Sequence, residues 1–153
     1  AKGLTGGVLP LAATLATEEV YSGFLGEQDE YRTFFHGHSY TGNPLACAVA
    51  REALKVIEDE KLIEKSLFMG HYLKESLRNI LSPYVKEVRG MGLLIGVELK
   101  KSAGGARKFC EALMGKGILC KETHKHVIRF APPLTITKEE LDWALERIES
   151  VLH

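Results

Sequence analysis

Arg129 sits inside the string HVIRFAPP (126–133), where Val127, Ile128, Phe130 and Ala131 read as a short buried strand. A guanidinium keeps its charge in a protein and is costly to bury alone, so this arginine needs an anion. Alternation along a strand puts Arg129 on the face of Val127 and turns Ile128 and Phe130 to the other. Two kinds of anion qualify. One is a local carboxylate, Glu98 or Glu122, which would make the arginine a structural strand-edge residue. The other is a substrate carboxylate, which the planar fork grips bidentately as lysine does not.

Lys2, in AKGLTGG, is a second candidate. The string is not a phosphate-cradling P-loop, which needs glycine before the lysine and Ser or Thr after it. A lysine here is ordinarily solvated, but an amine held in a glycine-lined loop beside an apolar segment can form Schiff bases. In FFHGHSYTGN (34–43), Ser39 stands among glycines just ahead of a helix start, where hydroxyl and free N–H groups suit a phosphate. His36 and His38 lie one residue apart, as do His124 and His126 in HKH. Two histidines without a cysteine or carboxylate at ligand spacing are too few for zinc, so no metal site is expected. The glycines of VRGMGLLIG read as a tight turn with close backbone packing, not as a nucleotide site.

These side chains are positioned by a mixed set of elements. VLPLAATLA (8–16) has strand character, and Thr17 caps a short helix opening on Glu18 and Glu19. Asn43-Pro44 announces a long helix with Leu45, Val49, Ala53 and Ile57 at helical spacing. The charged run EDEK (58–61) breaks it, and a second helix follows to about Leu81, with Ile63, Leu67, Gly70, Leu73, Leu77 and Ile80 as its apolar stripe. GLLIGVELK alternates as a half-buried strand. A glycine-ended helix over 103–117 leads to two short strands, ILC and VIRF. The last helix opens with a capping box, Thr137 and Glu140, and presents Leu141, Leu145, Ile148 and Leu152 to a core.

The totals narrow the function classes. With 153 residues, 45% hydrophobic and 26% charged, the chain can bury one good core, or one domain and part of another. A net charge of zero points away from nucleic acid and from anionic membrane surfaces. Three cysteines without metal-type spacing suggest reduced thiols and a cytoplasmic setting. No apolar run is long enough to span a bilayer.

In order along essentially the whole chain, AKGLTGGVLPLAATLA, FFHGHSYTGNPLACAVA, VRGMGLLIGVEL and VIRFAPPLTITKEELD resemble the C-terminal part of a class III (fold-type I) pyridoxal-phosphate aminotransferase. The resemblance implies an α/β chain: residues 1–58 as the remainder of the cofactor-binding large domain with its long linking helix, and 59–153 as an α+β small domain. It places the Schiff-base lysine on Lys2, a contact to the cofactor phosphate across a homodimer interface on Ser39, and the grip on the substrate α-carboxylate on Arg129. It implies pyridoxal 5'-phosphate as cofactor, an amino acid and a 2-oxo acid as substrates, and two half-reactions in ping-pong order. Residues 1–46 are similar to diaminopelargonate aminotransferases of biotin synthesis, with TFFHGHSYTGN as the telling string. From about residue 85 the wording is closer to ornithine aminotransferases. The biotin-type enzymes place their arginine before a PxG-like turn where this chain has Lys121-Glu122, so the reading leans to ornithine. Full-length members add a preceding portion with the aspartate for the pyridine nitrogen, the aromatic ring stack and the main phosphate turn. The chain alone is therefore expected neither to hold the cofactor tightly nor to transaminate. A non-catalytic C-terminal domain or dimerisation fragment is the alternative from another class.

Overall fold

The computed structural model describes residues 3–153, and the chain divides into two compact units between Glu60 and Lys61. In the first, the Thr17 hydroxyl accepts from the Val20 amide at 3.4 Å and starts α1, Glu18–Ser22. Its two first-turn carboxylates suit the positive helix end. A single 3-10 turn follows at Gln28–Glu30. Asn43 Oδ1 accepts from the amides of Leu45 and Ala46, at 3.0 and 3.4 Å, and opens α2, Pro44–Asp59. Proline fits that first position because its missing N–H would have had no partner there. Ala46 and Ala50 are buried, whereas Leu45, expected to lead the apolar stripe, is exposed.

Residues 8–16 correct the sequence reading: they form no strand. A strand's N–H and C=O groups need a neighbouring ladder. The described residues offer this segment none, and Pro10 removes one donor outright.

The second unit begins where Lys61, with φ 50, turns the chain out of α2 and into α3, Leu62–Asn79. Leu62, Met69, Gly70, Leu73 and Leu77 are buried. Ile63 and Leu67, expected in that stripe, are 65% and 57% exposed. At 3.6 residues per turn the face running through 62, 69, 73 and 77 leaves both of them to one side.

A four-stranded antiparallel sheet in the order β1-β2-β4-β3 lies beside the helices. Its strands are β1 Val85–Met91, β2 Leu94–Leu99, β3 Lys121–Thr123 and β4 Val127–Phe130. The glycines of VRGMG are expected to make a tight turn, but Val88 to Met91 belong to β1 and the turn is confined to Gly92 and Leu93. Gly92 has φ 52, in the left-handed region that suits glycine. Helix α3 packs directly on this turn: a Cβ on Gly70 would lie 2.1 Å from the Gly92 carbonyl. The expected strand ILC is also corrected. The Ile118 N–H is spent on Leu113 O at 2.9 Å, closing the end of α4, Arg107–Gly115, so pairing begins only at Lys121.

One face of the sheet carries Val88, Ile95, Val97, Ile128 and Phe130 into a core shared with α3, α4 and α5, Lys138–Leu152. Helix α5 opens with the expected capping box. The Thr137 hydroxyl accepts from the Glu140 amide at 3.2 Å, and Glu140 Oε2 accepts from the Thr137 amide at 2.8 Å. No helix among the described residues is long and apolar enough to cross a membrane.

Candidate active site

Arg129 lies on β4 with its neighbours Val127, Ile128 and Phe130 buried and itself exposed. Its register places it opposite Gly96 on β2 and opposite Lys121 on β3. Gly96 is in turn opposite Arg89 on β1, so one row of the sheet face opposite the core reads Arg89, Gly96, Arg129, Lys121.

The structural alternative for Arg129 is not realised, because both expected partners are engaged elsewhere. Glu98 accepts from Lys86 Nζ and Arg89 Nη1, each at 2.6 Å, and these hydrogen bonds hold its carboxyl below the usual carboxylate range. Glu122 points to the helix-covered side, where Arg107 Nη1 donates to it at 3.0 Å and lowers its pKa in the same way. Among the described residues the Arg129 side chain has no ion-pair or hydrogen-bond partner. The β-bulge between Val85 and Glu87 brings Lys86 to Glu98, and no periodicity in the sequence signals it.

In the first unit, Thr5 is buried and fastens its loop by donating from Oγ1 to the Leu9 carbonyl and accepting from the Leu9 amide at 3.3 Å. Residues 9–12 form one wall of a cleft of about 600 Å³ whose other wall is His38, Tyr40, Thr41 and Gly42. That second wall is a turn fixed by Thr41, whose amide donates to His38 O and whose hydroxyl accepts from the His38 amide, both at 2.9 Å. Ser39 rides on this turn, exposed and without a hydrogen-bond partner among the described residues, four positions before the cap of α2. The structure thus brings the chain just after the AKGLTGG loop beside the Ser39 turn. Lys2 itself lies outside the described residues.

The histidines have local roles. The rings of His36 and His38 meet edge-on at 5.4 Å. His124 and Lys125 adopt φ 48 and 64 to make the β3–β4 hairpin turn. Among the described residues no three His, Cys, Asp or Glu side chains converge as metal ligands.

The family model for aminotransferase class-III matches residues 1–152. The chain belongs to the class-III aminotransferases. Ornithine aminotransferase 2 of Staphylococcus aureus (strain Mu50 / ATCC 700699) is 55% identical over 150 residues, 98% of this chain and 35% of the relative. The solved ornithine aminotransferase of Toxoplasma gondii superimposes with a TM-score of 0.85 at 40% identity, covering 99% of this chain and 35% of that one. Adenosylmethionine-8-amino-7-oxononanoate aminotransferase of Methanocaldococcus jannaschii also superimposes at 0.85, with 36% identity over 99% of this chain and 37% of that one. The chain therefore spans about a third of the length of the relatives it matches.

Class-III aminotransferases are pyridoxal phosphate enzymes, and the described residues fit one end of that group. A phosphate ester is suited by hydrogen-bond donors that no other group has claimed. The Ser39 hydroxyl is one, on a turn whose own hydrogen bonds leave it outward.

Proposed function

We propose that this class-III aminotransferase chain is the C-terminal-side portion of an ornithine aminotransferase, which moves an amino group from a basic amino acid to a 2-oxo acid. The observation that carries the substrate side is the unpaired Arg129, exposed on a firm strand while both nearby carboxylates are held by other cations. The names of the curated relatives support ornithine as the donor.

In this reading residues 1–58 continue the large domain and 59–153 are the small domain, in a cytoplasmic homodimer. Arg129 takes the substrate α-carboxylate in a bidentate grip, which fixes how the amino acid is held in the site, the group transferred from ornithine being its δ-amine. The Lys2 amine would hold the cofactor covalently and would serve as the base and acid that moves the proton at the substrate carbon. Ser39 donates to the cofactor phosphate across the dimer interface. Pyridoxal phosphate, when bound, would supply the electron sink for the electron pair left on carbon when the proton departs, and would store the amino group between half-reactions.

Co-expression with the large-domain portion of the full-length protein tests this reading. Activity towards ornithine should appear, vanish in Lys2→Ala, and in Arg129→Met show a KM for ornithine raised about 10- to 100-fold, as loss of a charged bidentate contact implies. A fully active Lys2→Ala form would refute the lysine assignment. A second reading, 8-amino-7-oxononanoate as amino acceptor, is favoured by the likeness to the Methanocaldococcus jannaschii enzyme. Turnover of that substrate but not of ornithine would establish it. No turnover of either in the complete protein would leave a non-catalytic domain.

A further inference from the structure

Lys121 is unaccounted for by the roles above, and its position is unusual for a surface lysine. It stands directly opposite Arg129 in the antiparallel β3–β4 pair. Side chains so placed share a face with their Cβ atoms about 5 Å apart, and like charges there weaken a sheet. An edge lysine commonly guards against strand-to-strand association, but that role does not require a second, unpaired cation beside it.

The charge balance of this face sharpens the point. Glu87 and Glu98 face each other across β1 and β2 and are matched by two cations: Arg89, 3.1 Å from Glu87 and 2.6 Å from Glu98, and Lys86, 2.6 Å from Glu98. That group is closed, two charges against two. Glu122, adjacent to Lys121 in sequence, is turned to the other side and bonded to Arg107. Lys121 and Arg129 are left as two adjacent positive charges with no anion bonded to either among the described residues. On the other flank of Arg129 the chain has Gly96, so no side chain crowds the guanidinium from β2. A Cβ there would sit 3.2 Å from Val127 Cγ1.

We infer that Lys121 is a second cation of the carboxylate-binding site, sharing the anion with Arg129 and raising the enzyme's preference for amines that carry a carboxylate. The inference rests on the reading of Arg129 as the carboxylate grip. Arg129 supplies direction through its planar fork, and Lys121 supplies a compact charge that neutralises the second oxygen. Their mutual repulsion in the empty site is relieved when an anion enters, so binding is favoured without a closed ion pair having to break.

The test uses the full-length, cofactor-loaded enzyme with Lys121→Met, Lys121→Arg and Arg129→Met. Pentanoate serves as a carboxylate that cannot react, and its Kd is read by calorimetry at two salt concentrations. Ornithine is compared kinetically with 1,4-diaminobutane, the same diamine without the carboxylate. Lys121→Met is expected to weaken pentanoate about tenfold, the usual scale for one charged contact, and to flatten the salt dependence. It should raise the KM for ornithine in parallel, change kcat by less than about twofold and spare kcat/KM for diaminobutane. Lys121→Arg should recover most of the loss. An unchanged pentanoate Kd in Lys121→Met, or equal losses for ornithine and diaminobutane, would overturn the inference while leaving Arg129 in place. Undiminished pentanoate binding in Arg129→Met would remove the reading beneath it. Lys121→Gln provides the same comparison should the methionine variant not fold.

Discussion

Arg129 was legible as a problem from sequence because a permanent charge interrupts an apolar strand. Who neutralises what around it was not. Glu98 meets Lys86 and Arg89 through the β1–β2 register and a bulge, and cross-strand register is invisible to a one-dimensional pattern. Two residue-scale predictions follow from the electrostatics. Glu98, Glu122 and Asp142 all have carboxyls held below their ordinary range, chiefly by hydrogen bonds from Lys86, Arg107 and Lys138 respectively. A depressed folded-state pKa gives stability that is present above the unfolded value, about pH 4, and is lost as pH falls through the folded one. Glu98→Gln should therefore show a shallower loss of thermal stability between pH 5 and 2 (an order-of-magnitude window set by carboxylate titration) than the unaltered protein. A parallel curve would contradict the assignment. Burial pushes the thiols of Cys110 and Cys120 both up, Cys120 to about 12. Since the thiolate is the reactive form, neither should be alkylated by iodoacetamide in the folded protein at pH 8, and both should react after unfolding. Rapid native labelling, read by mass spectrometry, would show that the site is open.

Helices announce themselves locally, and here they did so through Asn43-Pro44 and through Thr137 with Glu140. Strands depend on partners. Residues 8–16 looked like a strand and lack one, whereas β1 looked like a turn and is a full strand, because charged residues and a bulge break its alternation. Gly70 passed as a member of a helical stripe, but its real constraint is the Gly92 backbone lying where a side chain would go. Gly70→Ala should cost several kcal/mol, on the order of 2–4, by forcing α3 off the β1–β2 turn. A denaturant midpoint unchanged from the parent would show that the turn gives way freely. Thr137→Ala should cost about 1 kcal/mol, the common worth of an N-cap, without changing the denaturant slope.

At the scale of the molecule, 61–153 has a sheet, three helices and a continuous core, while 1–60 buries little and exposes Phe35 and Tyr40 at 81% and 83%. A unit of roughly 90 residues with a single core can fold alone. Residues 61–153 expressed separately should unfold in one sigmoidal urea transition followed by circular dichroism, and 1–60 should show none. A featureless, non-cooperative slope for 61–153 would mean that its core needs covalent continuation. The division of labour at this scale came from resemblance and not from hydropathy, since no pattern in 153 residues encodes what a longer chain would add. The proposed function as a whole depends on the amine of Lys2 being the cofactor's attachment point. Full-length protein loaded with pyridoxal phosphate, reduced with borohydride and digested, should yield the pyridoxyl mass on the peptide containing Lys2. The same mass on a different lysine, or on none, would contradict it.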